Sequence, residues 1–173
     1  MDIPFIKDIK IEKVMPNRIV VFLEIYKEEY ATYLKGGKCN IVSSNGTKLK
    51  EVCEEDIQSC CSEYSVNKQL PFLISMEIDI SNLENDKDKL LIMEDISKVV
   101  TIARGLNFKI TEINLAEDIL EIKDDANHLF RFSMINDLDV QLKRLIVVVK
   151  KLKGDSIDFT NIDLRFERPV MTK

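Results

Sequence analysis

The chain has 173 residues, of which 45% are hydrophobic and 32% charged, and its formal net charge is −5. These values are typical of a folded protein with one domain or a little more, and the acidic balance disfavours a general nucleic-acid-binding role. No stretch reaches the roughly 18 uninterrupted apolar residues of a membrane-spanning helix, and "MDIPFIKDIK" lacks the apolar core of a signal peptide.

The first part of the chain is predicted to consist of short strands. "FIKDIKIEKV" and "RIVVFLEIY" have strand character and are joined by the turn formers Pro16-Asn17. "YATYL" and "CNIV" continue as strands, and Asn45-Gly46 is a strong hairpin signal. Residues 50–68 show no clear period, so we predict a loop there with at most one helical turn.

Two helices are predicted in the second half of the chain. The first runs from about Asp86 to Arg104 and the second from about Asp137 to Lys153, with Gly105 and Gly154 at the positions of helix C-terminal glycines. Both carry an apolar stripe, and we expect the two helices to pack on one side of a sheet. The predicted core positions are Ile92, Ile96, Val99, Leu142, Leu145 and Val149.

The remaining segments predict further strands. "QLPFLIS" precedes the first helix, and three strand-like segments, "NFKITEINL", "DILEIK" and "HLFRFSM", lie between the two helices. In the closing segment, apolar Ile162, Leu164 and Phe166 alternate with polar residues, which is the period of a strand. Because Pro169 donates no hydrogen bond, we expect this strand at a sheet edge. The order of elements predicts an α+β fold with mostly antiparallel pairing.

The cysteines are the first candidates for chemistry. Cys39, Cys53, Cys60 and Cys61 form no CxxC pair, so ordinary thiols or one disulfide are favoured over a metal site. A disulfide of Cys39 with Cys53 or Cys60 stays open, because geometry decides it.

No other pattern predicts catalysis. The single histidine, His128, is interpreted as a surface or packing residue. The acidic pairs Glu54-Glu55 and Asp124-Asp125 fall in predicted loops or turns and are interpreted as solvated. We therefore predict that the protein is not an enzyme and has no catalytic residues, no metal site and no cofactor.

The first 34 residues resemble the second half of the POTRA domain in the bacterial division protein family FtsQ, called DivIB in Gram-positive bacteria. The matching positions are Ile3-Pro4-Phe5, two alternating strands around Met15-Pro16, and Ala31 with Tyr33. The family's usual proline just before that alanine is absent, and Glu29 is nearest to its place.

Later segments are similar to family motifs in the same order along the chain. "VQLKRLIVVVKKL" looks like the family's lysine-arginine-leucine helix, and "IDFTNIDLRFERPVMTK" is close to the family ending. "NIVSSNGTKL", "QLPFLIS" and "DILEIKDDANHLFRFSM" match a hairpin, a leucine-proline segment and a strand-turn-strand unit, although Ala126 replaces a common glycine.

The resemblance implies two domains: residues 1–34 as the C-terminal part of a POTRA domain and residues 35–173 as the family's β domain. It implies a non-catalytic divisome scaffold at the septum, located in the periplasm and anchored in the inner membrane only through a segment that this chain lacks. The expected partners are FtsB, which travels with FtsL, at the C-terminal edge strand, and other division proteins at the POTRA region. The partner-binding residues carried over are Arg165, Phe166, Glu167, Arg168, Val170 and Met171.

Two alternatives are open, one for the role of Phe166 and one for the function of the protein. Phe166 is either an apolar anchor for the partner or a continuation of the Ile162-Leu164 core face. The alternative function is an unrelated soluble α+β binding module, or an intracellular thiol protein that uses Cys60-Cys61.

Overall fold

The computed structural model describes residues 5–34, 37–53, 56–75 and 87–172, and it confirms an α+β fold. Within these ranges, a two-stranded hairpin precedes a nine-stranded sheet with three helices. The hairpin consists of β1 (Ile6–Val14) and β2 (Arg18–Ile25), and the helices are α1 (Ile57–Lys68), α2 (Lys87–Gly105) and α3 (Leu138–Asp155). The sheet contains β3 (Tyr30–Leu34), β4 (Cys39–Val42), β5 (Lys48–Glu51), β6 (Phe72–Ser75), β7 (Ile110–Ala116), β8 (Ile119–Asp124), β9 (Leu129–Ser133), β10 (Asn161–Asp163) and β11 (Val170–Thr172).

The nine strands lie in the order β11-β10-β9-β8-β7-β6-β3-β4-β5. Most neighbours are antiparallel, as the sequence predicts, while β9 with β10, β3 with β6 and β6 with β7 are parallel. Because β3 belongs to this sheet, the chain passes from the hairpin to the sheet within residues 26–29. The domain boundary after residue 34 that the resemblance implies falls at the end of β3 and stays a prediction.

Helices α2 and α3 cover one face of the sheet. Their apolar stripes form a single core with inward-facing residues of the strands, including Leu73, Ile113, Leu120 and Phe130. Of the six predicted helix core positions, five are buried and Ile92 is partly buried against the same core.

Both long helices continue through the glycines that were predicted to follow them. Gly105 is the last residue of α2 and Gly154 lies inside α3. The left-handed conformation at the helix ends is taken instead by Asn107, with φ 66°, and Ser156, with φ 53°. At the end of α3 the N–H of Ile157 bonds to the carbonyl of Leu152, which satisfies one of the last helical acceptors.

Helix α1 corrects the prediction of a loop over residues 50–68. It packs against β3, β4 and β6 in a small core of Ala31, Cys39, Ile41, Cys61 and Phe72. These strand residues alternate with Tyr30, Val42 and Leu73 of the main core, so α1 lies on the opposite face of the sheet from α2 and α3.

Two disulfides tie α1 to the strands. Cys39 in β4 pairs with Cys61, and Cys53 after β5 pairs with Cys60. The interpretation of the cysteines as thiols, or as one disulfide of Cys39 with Cys53 or Cys60, is therefore wrong. Because α1 has no continuous apolar stripe, covalent links replace part of the packing that holds α2 and α3.

The hairpin has an aliphatic face that we define by three cross-strand pairs, Ile6–Ile25, Ile9–Leu23 and Ile11–Val21. Partners in a register share one face of the ribbon, and a bulge after Ile6 keeps that residue on the same face. The opposite face carries charged residues such as Asp8, Lys10 and Glu12. All of β1 and all of β2 except Val20 are exposed.

Candidate partner-binding edge

The two edges of the nine-stranded sheet differ in their charge. Edge strand β5 carries Lys48, Lys50 and Glu51, and Glu51 forms ion pairs with Lys38 at 2.8 Å and with Lys48 at 3.2 Å. Charged side chains on an edge discourage pairing with another strand. Edge strand β11 consists of Val170, Met171 and Thr172, so it carries no charge and all three residues are exposed.

The closing segment is two short strands rather than the single strand that alternation predicts. β10 pairs in parallel with β9, the chain bends over residues 165–168, and β11 returns antiparallel along β10 with Ile162 opposite Met171. Ile162 and Leu164 are fully buried. The edge strand is thus β11, which begins after Pro169, and β10 lies inside the sheet.

The bend is held by hydrogen bonds from the neighbouring part of the chain and from residues that are distant in the sequence. The guanidinium of Arg165 donates to both carboxylate oxygens of Asp163, from Nε to Oδ1 at 2.9 Å and from Nη2 to Oδ2 at 2.6 Å. Arg144 of α3 donates to the carbonyl of Phe166 at 3.1 Å, and Asn136 donates to the carbonyl of Arg165 at 3.5 Å. This network fixes where the chain leaves the core and where β11 starts.

Asp163 is the electrostatic centre of the network. Burial by itself would raise the pKa of this carboxyl, but hydrogen bonds from the Arg165 side chain and backbone N–H, with the positive charges of Arg165 and Arg131, hold the pKa below its ordinary value. Arg131 in turn pairs with Glu121 at 2.6 Å. The charges of Asp163 and Arg165, and those of Arg131 and Glu121, therefore satisfy one another within the protein.

Phe166 lies in the bend with 52% of its surface exposed, and it belongs to neither core. The interpretation of Phe166 as a continuation of the Ile162-Leu164 face is therefore wrong. Its ring lies 5.6 Å from the guanidinium carbon of Arg165, which supports it from one side. A rigid aromatic ring held at the surface is a typical anchor for a protein partner.

The structure brings the six sequence-predicted residues together at one corner of the sheet. Glu167 and Arg168 are exposed in the bend, and Val170 and Met171 are about half exposed in β11. Arg165 differs from the others because its guanidinium is bound to Asp163. Arg144 and Asn136 were missed, since nothing in the sequence indicates that residues so far away would hold the bend.

The other side chains that the sequence offered as candidates, His128 and Asp124, make contacts within the protein. The imidazole of His128 stacks on Phe159 with ring centroids 4.5 Å apart, and its Nδ1 lies 2.8 Å from Oδ2 of Asp124. Asp124 is buried and accepts backbone N–H groups of Ala126 and His128, so it is not the solvated turn residue that was predicted. Glu54-Glu55 lies outside the described residues.

Two further observations concern metals and membranes. Within the residues that the structure describes, no three His, Cys, Asp or Glu side chains converge as metal ligands. None of the helices in the same ranges has the length and apolar composition needed to cross a membrane.

Comparison of the sequence with protein-family models and with curated proteins finds no match. The resemblance to the FtsQ/DivIB family consequently stays a prediction.

Proposed function

We propose that this chain is part of an FtsQ/DivIB-like scaffold protein of the divisome, which has no catalytic role and links early and late division proteins at the septum. Its partner FtsB, together with FtsL, would add a strand to β11. The observation that carries the proposal is the contrast between the sheet edges: β5 is charged, whereas β11 is uncharged and exposed beside an exposed aromatic ring. Such an edge suits β-strand addition.

The residues of this corner would have different roles in binding. Phe166 would be the apolar anchor, and the backbone of β11 would pair with the incoming strand while Val170 and Met171 pack beside it. Glu167 and Arg168, both exposed, would set the register through charge pairs with the partner. Arg165 would position Phe166, because its own charge is already paired with Asp163.

The bonding of the cysteines is evidence about the cellular compartment of the protein. Two disulfides account for all four cysteines of the chain, and structural disulfides are typical of oxidising compartments such as the periplasm. This supports the periplasmic location that the resemblance implies. The alternative of an intracellular thiol protein would require both disulfides to be reduced.

Replacing Phe166 with alanine tests the proposal. We expect Phe166→Ala to weaken binding of a peptide from the cognate FtsB by roughly 2 kcal/mol, which is about 30-fold in Kd. The melting temperature should change little, because Phe166 lies outside both cores. The measurement is calorimetric titration, with a thermal melt of each variant.

Phe22 offers a matched control, since it is a phenylalanine of the hairpin with 50% of its surface exposed. Phe22→Ala should leave peptide affinity unchanged. Equal affinity of Phe166→Ala and the unmodified chain would remove Phe166 from the site, and a marked drop in its melting temperature would assign Phe166 to packing instead.

A further inference from the structure

The two disulfides of α1 differ in how accessible they are to solvent. Cys39 and Cys61 are both 0% exposed and belong to the small core under α1. Cys53 and Cys60, in contrast, are partly exposed. Thiol–disulfide exchange begins when a thiolate reaches one of the two sulfur atoms of the bond. Cys53–Cys60 is therefore the bond that a thiolate from solution meets in the folded protein, whereas attack on Cys39–Cys61 requires the small core to open.

The position of Cys60 in α1 favours its departure as a thiolate. The helix begins at Ile57, so Cys60 is its fourth residue and lies in the first turn. Negative charge is stabilised at this end of a helix, because the first N–H groups have no acceptor within the helix. The N-cap residue Asp56 makes no side-chain hydrogen bond to them, and residues 57–60, all within the described ranges, include no acidic side chain. A thiolate formed at such a position is a good leaving group.

The Cys53–Cys60 bond fastens the start of α1 rather than the whole helix. The backbone N–H of Cys60 donates to the carbonyl of Asp56 at 3.0 Å, which closes the first turn. The rest of the helix is attached independently, by the buried disulfide and by Tyr64, whose hydroxyl donates to Oε2 of Glu28 at 3.3 Å. Breaking the partly exposed bond is therefore expected to loosen the first turn while the remainder of α1 stays docked.

We propose that Cys53–Cys60 is a thiol–disulfide exchange site for dithiols, through which the start of α1 responds to the redox state of its surroundings. A thiolate of the dithiol attacks Sγ of Cys53, the Cys53–Cys60 bond breaks, and the electron pair leaves on Sγ of Cys60. The second sulfur of the dithiol, as a thiolate, then attacks the mixed disulfide and releases Cys53. The dithiol is oxidised to a disulfide, the protein disulfide is reduced to two thiols, and the two protons of the dithiol pass to them through solvent.

Limited reduction of the 173-residue chain with dithiothreitol tests this site independently of FtsB. Samples are quenched with iodoacetamide at successive times, and peptide mapping measures which cysteines carry the label. We expect Cys53 and Cys60 to be labelled at least about tenfold faster than Cys39 and Cys61. The Cys53→Ala/Cys60→Ala variant should show only the slow labelling. The comparison within the unmodified protein does not depend on the stability of that variant.

Hydrogen exchange of the selectively reduced protein measures the consequence for α1. The amide of Cys60 should exchange faster than in the oxidised protein, and the amide of Ser65, in the second half of the helix, should be unchanged. Equal labelling rates for all four cysteines, or faster labelling of Cys39 and Cys61, would overturn the proposal. Unchanged exchange at Cys60, or equal acceleration at Ser65, would also overturn it, because the bond would not then act on the first turn.

Discussion

Replacing Leu145 with alanine is expected to lower the free energy of unfolding by about 2–5 kcal/mol. Leu145 lies on the inner stripe of α3 with 1% of its surface exposed, and it belongs to the core that α2, α3 and the sheet share. Removing its branched end loses the transfer free energy of the buried atoms and leaves a cavity between elements that are fixed on several sides. Denaturant titration measures the loss.

Val147 on the same helix provides the control for this substitution. It is 66% exposed, so Val147→Ala should change the free energy of unfolding by no more than about 0.5 kcal/mol. A loss well under about 1 kcal/mol for Leu145→Ala, on the scale set by large-to-small core substitutions, would show that the inner face of α3 is not core.

Removing the Cys39–Cys61 disulfide is expected to lower the free energy of unfolding by a similar amount. The two cysteines are 22 residues apart and both are fully buried, and closing a loop of that length stabilises a protein by about 3 kcal/mol in the chain-entropy description. The Cys39→Ala/Cys61→Ala double variant also loses two buried sulfur atoms from the small core under α1. It leaves only Cys53 and Cys60, which can form a single bond.

The second disulfide gives the comparison. Cys53 and Cys60 are seven residues apart and partly exposed, so their double alanine variant should lose less, about 2 kcal/mol. Chemical denaturation of both variants under non-reducing conditions measures the difference. An equal loss in the two variants, or a larger loss for Cys53→Ala/Cys60→Ala, would contradict the role given to the buried disulfide.

The long helices could be predicted from the sequence because their burial follows a simple period. Ile96 and Val99 in α2, and Leu142, Leu145 and Val149 in α3, recur at helical spacing, and each is buried. Helix α1 could not be predicted from the sequence, because it has no such apolar period. Only Cys61 and Ser65 are buried along it, so no apolar stripe marks it and its position depends on two covalent bonds.

The C-terminal edge could be predicted only in part. Alternation from Ile162 correctly indicates extended chain, but the strand that Pro169 places at an edge lies inside the sheet as β10. Alternation cannot show that the chain turns after this strand and that β11 forms the edge. The turn depends on Asp163 binding Arg165 and on Arg144 holding the carbonyl of Phe166, and the second of these contacts spans 22 residues. Long-range hydrogen bonds of this kind leave no periodic signal.

The hairpin shows a different limit of prediction from the sequence. Its strands and turn follow from alternation and from Pro16-Asn17, but a period of two only separates two faces and does not show which face is buried. In the structure neither face is buried, and the apolar residues of β1 and β2 remain at the surface.

Hydrogen exchange of the β11 backbone is the most direct test of strand addition. With a saturating peptide from the cognate FtsB, those amides of Val170, Met171 and Thr172 whose N–H groups point away from β10 should exchange more slowly, because the outer side of the edge strand gains hydrogen bonds. The amides of β5, at the charged edge, should be unaffected. Slower exchange confined to β5 or to the hairpin, with β11 unchanged in the bound state, would contradict the account.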